Sequence, residues 1–210
     1  MGTPNAKVAK FGASNFEYGV LDDKEKIADT RKVTGLKEVK LTLTNELKTL
    51  AADDGPYLIL SGGITEAKET INLFDVDSIM KKDFYGVDLK DGVEVYTKNF
   101  TPNYVATLFR TKISNGKHCW VGLTKGMFAL PGISTKTQDG APDPEADEIE
   151  GNFVPRGDAD NGVILLIGRE DNPDFDFDKF HKMVFGDTAP VTTPTDAPDH
   201  TDNKVVDGNK

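Results

Sequence analysis

Between Leu50 and Gly86 the apolar positions change period once, and the change separates sheet from helix. Ala67, Ile71 and Leu73 fall on one face of an extended segment. Glu69 interrupts that face, and Glu66, Lys68, Thr70 and Asn72 lie on the other, as in a strand with one dry side. From Asp75 the spacing becomes helical. Val76, Ile79, Met80 and Phe84 form one stripe, and Lys81, Lys82 and Asp83 stay wet. Asp75 or Asp77 is placed to cap this helix, and Gly86 to end it in the left-handed conformation. Upstream, Asp53-Asp54-Gly55-Pro56 reads as a tight turn, Tyr57–Leu60 as a short strand, and Gly62-Gly63 as a second turn. A helix this short needs a sheet to dock on.

The same patterning extends both ways. Phe11, Phe16, Tyr18 and Val20 mark a first extended segment, and Leu21–Lys26 a solvated loop. Ile27–Val33 is a weak strand. In Leu36–Thr44, Val39, Leu41 and Leu43 alternate with Lys40, Thr42 and Thr44. Asn45–Asp54, carrying Leu47 and Leu50, admits either a helical turn or a strand. Gly86–Gly92 reads as a turn and Val93–Lys98 as a short strand. Thr101–Ile113 is apolar on both faces, which predicts a central strand covered on each side. Ser114-Asn115-Gly116-Lys117 then predicts a hairpin turn with two positive-φ positions, returning as His118–Leu130. Gly132–Gln138 continues extended, and Asp139–Glu148 is an acidic, Pro-rich exposed loop. Glu150–Arg156 and Gly162–Arg169 are two further strands, with Val163–Ile167 as a core run. Pro173 opens a second helix with Asp174, Asp176 and Asp178 in its first turns and a stripe of Phe177, Phe180, Met183 and Val184.

The prediction is a mainly β fold: a β-sandwich or barrel-like domain with one flanking α-helix, a second short C-terminal helix, long loops and extended termini. Residues 1–14 are expected to form a flexible arm and 15–186 the β-rich domain. Residues 187–210 form a Pro/Thr/Asp-rich tail that cannot bury enough to order itself alone.

Composition narrows the function classes. The formal charge is −10 over 210 residues. A protein that grips nucleic acid needs a basic footprint, so that class is disfavoured; one that lets nucleic acid pass is not. No apolar run is long enough to span a bilayer, so no membrane insertion is expected. The opening MGTPNAKVAKFGASN has no h-region and predicts no secretory signal. The one cysteine, Cys119, permits no intramolecular disulfide and suits a reducing compartment.

Catalytic chemistry finds no footing. Asp171, Asp174, Asp176 and Asp178 resemble a calcium loop, but counting from Asp174 puts Lys179 where Gly is needed and Phe185 where Glu is needed. A helix start explains them better. Cys119 lies between His118 and Trp120 on the opposite strand face, which makes it a buried structural thiol. His181 and His200 have no evident partner. No glycine spacing fits a phosphate or dinucleotide cradle. Neither an enzyme nor a cofactor is expected.

Several strings, in their order, resemble the major tail (tube) proteins of long-tailed, noncontractile bacteriophages. They are Ala52-Asp53-Asp54-Gly55 with its following strand, the helix closing on Phe84-Tyr85-Gly86, and Val105-Ala106-Thr107-Leu108-Phe109-Arg110-Thr111. Ser114-Asn115-Gly116-Lys117, Lys125-Gly126-Met127-Phe128, Thr135-Lys136-Thr137 and Phe153-Val154-Pro155-Arg156 continue the series, which spans roughly Val33 to Arg169. The resemblance implies a homohexameric ring. Rings stack into a tube with an acidic lumen, and DNA passes through it as unbound cargo. It further implies a place in the virion tail, assembly in the host cytoplasm, and partners such as a tail-tip initiator, tape measure and terminator. Ring-to-ring contacts are then expected from Met1–Ser14, Asn45–Tyr57, Pro131–Glu148 and the C-terminal tail. The candidate contact residues are Lys7, Lys10, Asn45, Glu46, Asp53, Asp54, Tyr57, Asp139, Asp143 and Glu148. The rival reading is a β-sandwich carbohydrate-binding module displayed on a virion, with Tyr57, Tyr85, Tyr96 and Trp120 as its aromatics.

Overall fold

The computed structural model describes residues 9–52, 54–132, 145–158, 161–187 and 190–191. Eleven strands and two helices follow in order: β1 (Lys10–Val20), β2 (Thr30–Val33), β3 (Leu36–Ala52), β4 (Gly55–Leu73), α1 (Ser78–Tyr85), β5 (Asp88–Lys90) and β6 (Val93–Val95). Then come β7 (Val105–Ile113), β8 (His118–Phe128), β9 (Asp147–Phe153), β10 (Leu165–Arg169), α2 (Phe177–Phe185) and β11 (Pro190–Val191). One nine-stranded sheet runs β11-β2-β1-β7-β8-β9-β4-β3, with β10 also on β8, while β5 and β6 form a separate small hairpin. All pairs are antiparallel except β11 with β2. β3, at one end of the order, touches β1 near the other, so the sheet rolls up on itself. The mainly β, barrel-like expectation with two helices holds.

β7 shows why the roll is stable. Val105 and Phe109 enter the inner core with Phe16, Tyr18, Ile71, Leu73, Phe128 and Phe153. Ala106 and Leu108, on the opposite face, join Trp120, Phe180, Val184 and Phe185 in a second core. A strand apolar on both sides needs both sides covered, and α1 and α2 sit on opposite faces. α1 is capped by Asp77, whose carboxylate accepts the Met80 N–H at 2.6 Å, and ends at Gly86 with φ +65°. Any Cβ there would also lie 2.7 Å from the Thr101 carbonyl oxygen. Phe84 then stacks on Phe128 at 4.6 Å and meets Tyr18 edge-on at 4.8 Å. Asp176 caps α2 through the Lys179 N–H, as the helix-start reading of the aspartates requires.

Several local expectations need correction. Gly62-Gly63 is no turn. β4 runs straight through it, and the register passes from Asn45↔Ile64 to Leu47↔Ser61, so two residues of β4 face the single Glu46. That is a bulge, with Gly63 at φ +75° absorbing the extra residue. Asn45–Ala52 is strand, not helix. The hairpin at Ser114–Lys117 exists, but only Gly116 has positive φ (+83°). Its N–H reaches the Ile113 carbonyl and Ile113 pairs with Lys117, which makes a three-residue loop ending in a left-handed glycine. Val163–Ile167 is not core: β10 is an edge strand, and Val163 and Ile167 are exposed. In α1 the stripe takes Tyr85 in place of the exposed Ile79, and in α2 His181 and Phe185 in place of the exposed Met183. Pro173 precedes α2 rather than opening it, and Asp88–Lys90, read as turn, is strand. Lys10–Ser14, assigned to the arm, pairs with β7, and Pro190–Val191, assigned to the tail, pairs with β2.

Candidate assembly surfaces

β3 and β4 are 17 and 19 residues long, far more than the body needs. The body ends where β9 does. β9 pairs with β4 only from Leu73 to Ala67, and Phe153 is its last partner. Beyond that point the two strands leave as a ribbon in which every described residue from Thr42 to Glu66 except Gly55 is exposed. The ladder sorts the ribbon's side chains onto two faces. Leu47 opposite Ser61 and Ile59 opposite Thr49 share one, while Leu50 opposite Leu58 and Lys48 opposite Leu60 share the other. Tyr57, Leu47 and Ile59 are 74%, 65% and 64% exposed. Covering a side chain of this size is worth roughly 1.5–3 kcal/mol, and a lone two-stranded ribbon is marginal in water. Two apolar faces call for cover on both sides.

The predicted contact residues divide accordingly. Asn45, Glu46, Asp54 and Tyr57 lie together on this ribbon. Asn45 Nδ2 donates to Ser61 Oγ at 3.1 Å, and Asp54 sits in the tip turn at φ +62°. Glu148 lies elsewhere, on β9 opposite Asn72. It belongs to a polar outer face of β3, β4 and β9, where Lys68 pairs with Glu150 at 2.7 Å and that bond holds the lysine's pKa above its usual value. Lys10 is apart from both, opposite Ile113 at the end of β1. Lys7, Asp53, Asp139 and Asp143 lie outside the described residues.

Two groupings were invisible in the sequence. Glu17, His181 and Thr30 meet in a buried cluster: Thr30 Oγ1 donates to Glu17 Oε1 at 2.6 Å and His181 Nε2 sits 2.9 Å from the same oxygen. Burial pushes the Glu17 carboxyl up, but the bonds to His181 and Thr30 outweigh it and leave the pKa lowered. The cluster ties α2 to β1 and β2. Glu25 is the second hub. It pairs with Lys125, accepts the Gly157 N–H and offers its carbonyl to Arg156, which also bonds the Val184 carbonyl at the end of α2. Sequence separations of 164 and 132 residues leave no local signal for either.

Among the described residues no group of three His, Cys, Asp or Glu side chains could hold a metal ion, and no helix is long and apolar enough to cross a membrane. Cys119 is buried. Of the four aromatics in the carbohydrate-binding reading, Tyr85 and Trp120 are buried, leaving Tyr57 on the ribbon and Tyr96 beyond β6.

The molecule is thus a rolled, mainly β protein with an uncovered apolar ribbon. No family model and no curated protein matches the chain. Among solved structures it is similar to a chain of the PVC extracellular contractile injection system, from the sheath–tube complex in the extended state. The identity is 8%, the TM-score 0.42, and the match covers 73% of this chain and 88% of that one. It is also similar to a chain of the anti-feeding prophage (AFP) baseplate, 6-fold symmetrised. There the identity is 7%, the TM-score 0.41, and the coverage 80% of this chain and 97% of that one. These likenesses are shallow, and the functional reading rests on this chain's own geometry.

Proposed function

We propose that this chain is a structural subunit without enzymatic activity. It assembles with copies of itself into six-membered rings that stack as the tail tube of a long-tailed bacteriophage. The observation that carries the reading is the β3–β4 ribbon, apolar on both faces and bare in the single subunit. The outer edges of β3 and β10, unpaired among the described residues, support it, since neighbouring subunits can complete such edges. The charge of −10 supports it too: repeated around a ring and along a tube, it repels phosphate, as a conduit for DNA requires. On this reading the subunit works in the virion tail, is assembled in the host cytoplasm, and meets a tail-tip initiator, tape measure and terminator. DNA is cargo only.

Negative-stain electron microscopy of the full chain, beside sedimentation, tests this. Rings or tubes with a central hole are expected, and a variant with Leu47, Leu58, Ile59 and Leu60 all replaced by Ser should stay monomeric with its melting temperature nearly unchanged. A variant that assembled as well as the parent would remove the ribbon from the mechanism.

A further inference from the structure

The chain has two Asn-Gly pairs, Asn115-Gly116 and Asn161-Gly162. An Asn followed by Gly can close on itself, because the glycine nitrogen reaches the side-chain carbonyl carbon with no Cβ standing beside it. At Asn115 that chemistry sits in a defined place, the loop of the β7–β8 hairpin. Ser114, Asn115, Gly116 and Lys117 are all exposed, so hydroxide and water reach the loop. A Cβ built at Gly116 would meet nothing within 4 Å, so no neighbour shields that side of it.

The atoms that would change partners are all held. The Gly116 N–H donates to the Ile113 carbonyl at 2.9 Å, which closes the loop. Asn115 Nδ2 donates to Asp171 Oδ2 at 3.2 Å, and Asn115 Oδ1 accepts the Lys117 N–H at 3.0 Å. These bonds act in different directions. The Lys117 N–H would stabilise an oxyanion forming on Oδ1. The other two hold the nucleophile's proton and the leaving amide, and both must break first. Asp171 is itself fixed, since Arg169 Nε donates to its Oδ1 at 2.8 Å and keeps the carboxyl below its usual range. It is therefore ionised at neutral pH and has no proton to give a departing nitrogen.

We propose that Asn115 is a site of slow intramolecular deamidation, restrained in the folded chain by Asp171 and by the Ile113 carbonyl. Hydroxide takes the Gly116 amide proton, and that nitrogen attacks Asn115 Cγ. The new N–Cγ bond forms as the Cγ–Nδ2 bond breaks, and Nδ2 takes up a proton from solvent and leaves as ammonia. Water then opens the cyclic imide at either of its carbonyls. Opening on one side gives aspartate, and on the other isoaspartate. The aspartate puts a carboxylate where an N–H donor faced Asp171, and like charges at that distance repel. The isoaspartate adds a methylene to the backbone of the loop that Gly116 closes. That loop also anchors the start of β1, because the Ser114 N–H donates to the Ala9 carbonyl at 2.9 Å and the Ala9 N–H to Ser114 Oγ at 3.2 Å. Conversion thus loosens the corner where the β7–β8 hairpin, the turn after β10 and the start of β1 meet, and it does so irreversibly.

Peptide mass mapping of the full chain, aged in mildly alkaline buffer at concentrations where it is monomeric, tests this. Asn115 should show the mass change from amide to acid, and faster as hydroxide rises. Asp171→Ala removes one restraining bond and should speed the conversion by roughly 2- to 10-fold, the rate equivalent of one hydrogen bond. Asn161 in the same digest reports global loosening and should convert at the same rate in both chains. Aged protein separated by anion exchange should exchange its Ala9 and Ser114 amide hydrogens faster than fresh protein. No conversion at Asn115 in either chain, equal rates there in both, or a parallel rise at Asn161 would each overturn the proposal. Unchanged exchange at Ala9 and Ser114 would overturn its structural consequence.

Discussion

Glu69 gives the sharpest quantitative prediction because nothing around it compensates its charge. It sits in β4 facing the inner core, fully buried, with Oε2 accepting a hydrogen bond from Thr107 Oγ1 at 2.8 Å and Oε1 without a partner. Burial raises its pKa from 4.5 to about 8, against which the Thr107 bond pulls only weakly, so at neutral pH the folded protein holds a neutral acid. The unfolded chain ionises near 4.5. The folded state therefore binds one proton more between these values, and stability falls as pH rises, by about 1.4 kcal/mol per unit. The full effect is present below pH 4.5 and lost by about pH 8, with roughly 3 kcal/mol already gone at pH 7. Glu69→Gln keeps an acceptor for Thr107 and removes the proton. Its amide N–H groups inherit the site of the unpartnered oxygen, at a cost of about 1–3 kcal/mol. The variant should be less stable than the parent at pH 4.5, and the difference should shrink or change sign by pH 8. Urea titrations of both chains from pH 4 to 9, at concentrations where each is monomeric, read this directly. Parallel pH profiles for the two chains would refute the reasoning, because the slope difference belongs to this one group.

Other perturbations follow from particular contacts. Glu17→Ala strands the buried His181 and Thr30 and should cost roughly 3–5 kcal/mol by thermal melting, whereas the joint Glu17→Leu/His181→Leu change should recover most of it. The lowered pKa of Glu17 adds stability that is present above the normal carboxylate range and lost as pH falls through the folded value, so an acid-side melting series should flatten in that double variant. Gly122→Ala puts a Cβ 2.4 Å from Val184 Cγ2 and should displace α2, costing about 1–3 kcal/mol and shifting the fluorescence of Trp120, whose ring lies 4.4 Å from Phe177. Gly116→Ala forces a Cβ into φ +83° with no neighbour in the way, so its penalty should be purely conformational, about 1 kcal/mol by urea titration.

What the sequence discloses follows from how local each cause is. The lower β3–β4 ladder, the β7–β8 hairpin and the Asp77 and Gly86 caps of α1 are legible because their determinants lie within a few residues. Apolarity on both faces of Thr101–Ile113 foretold two covering layers, and α1 and α2 supply them. Gly62-Gly63 was misread because a glycine pair suits a turn and a bulge equally. Only the register against Asn45 and Leu47, on another strand, decides. Leu47 and Leu50 are spaced as in a helix as well as in a strand, and their partners Ser61 and Leu58 settle the matter. The helical stripes slipped at Ile79 and Met183 because a helix of two turns takes its buried face from its docking angle. His181 has no meaning in sequence without Glu17.

The contact residues depend on a different kind of information. Polar loop positions such as Asn45, Glu46 and Asp54 were chosen on the resemblance and prove to share one ribbon, while Glu148 and Lys10 lie on separate surfaces. The apolar residues between them read in the sequence only as the short strand Tyr57–Leu60. Yet Leu58-Ile59-Leu60 breaks the inside–outside alternation that the rest of β4 keeps from Ala67 to Leu73. An unbroken apolar run is the pattern of a strand buried on both faces. In this structure neither face of that run is buried. A pattern left unsatisfied in the single chain is what the proposed assembly requires, in which a second copy would supply the missing layer. The same logic separates this run from Val163–Ile167, where Ile164 and Leu165 pack on the inner core, Leu166 packs on the second, and β8 holds one edge from Leu165 onward.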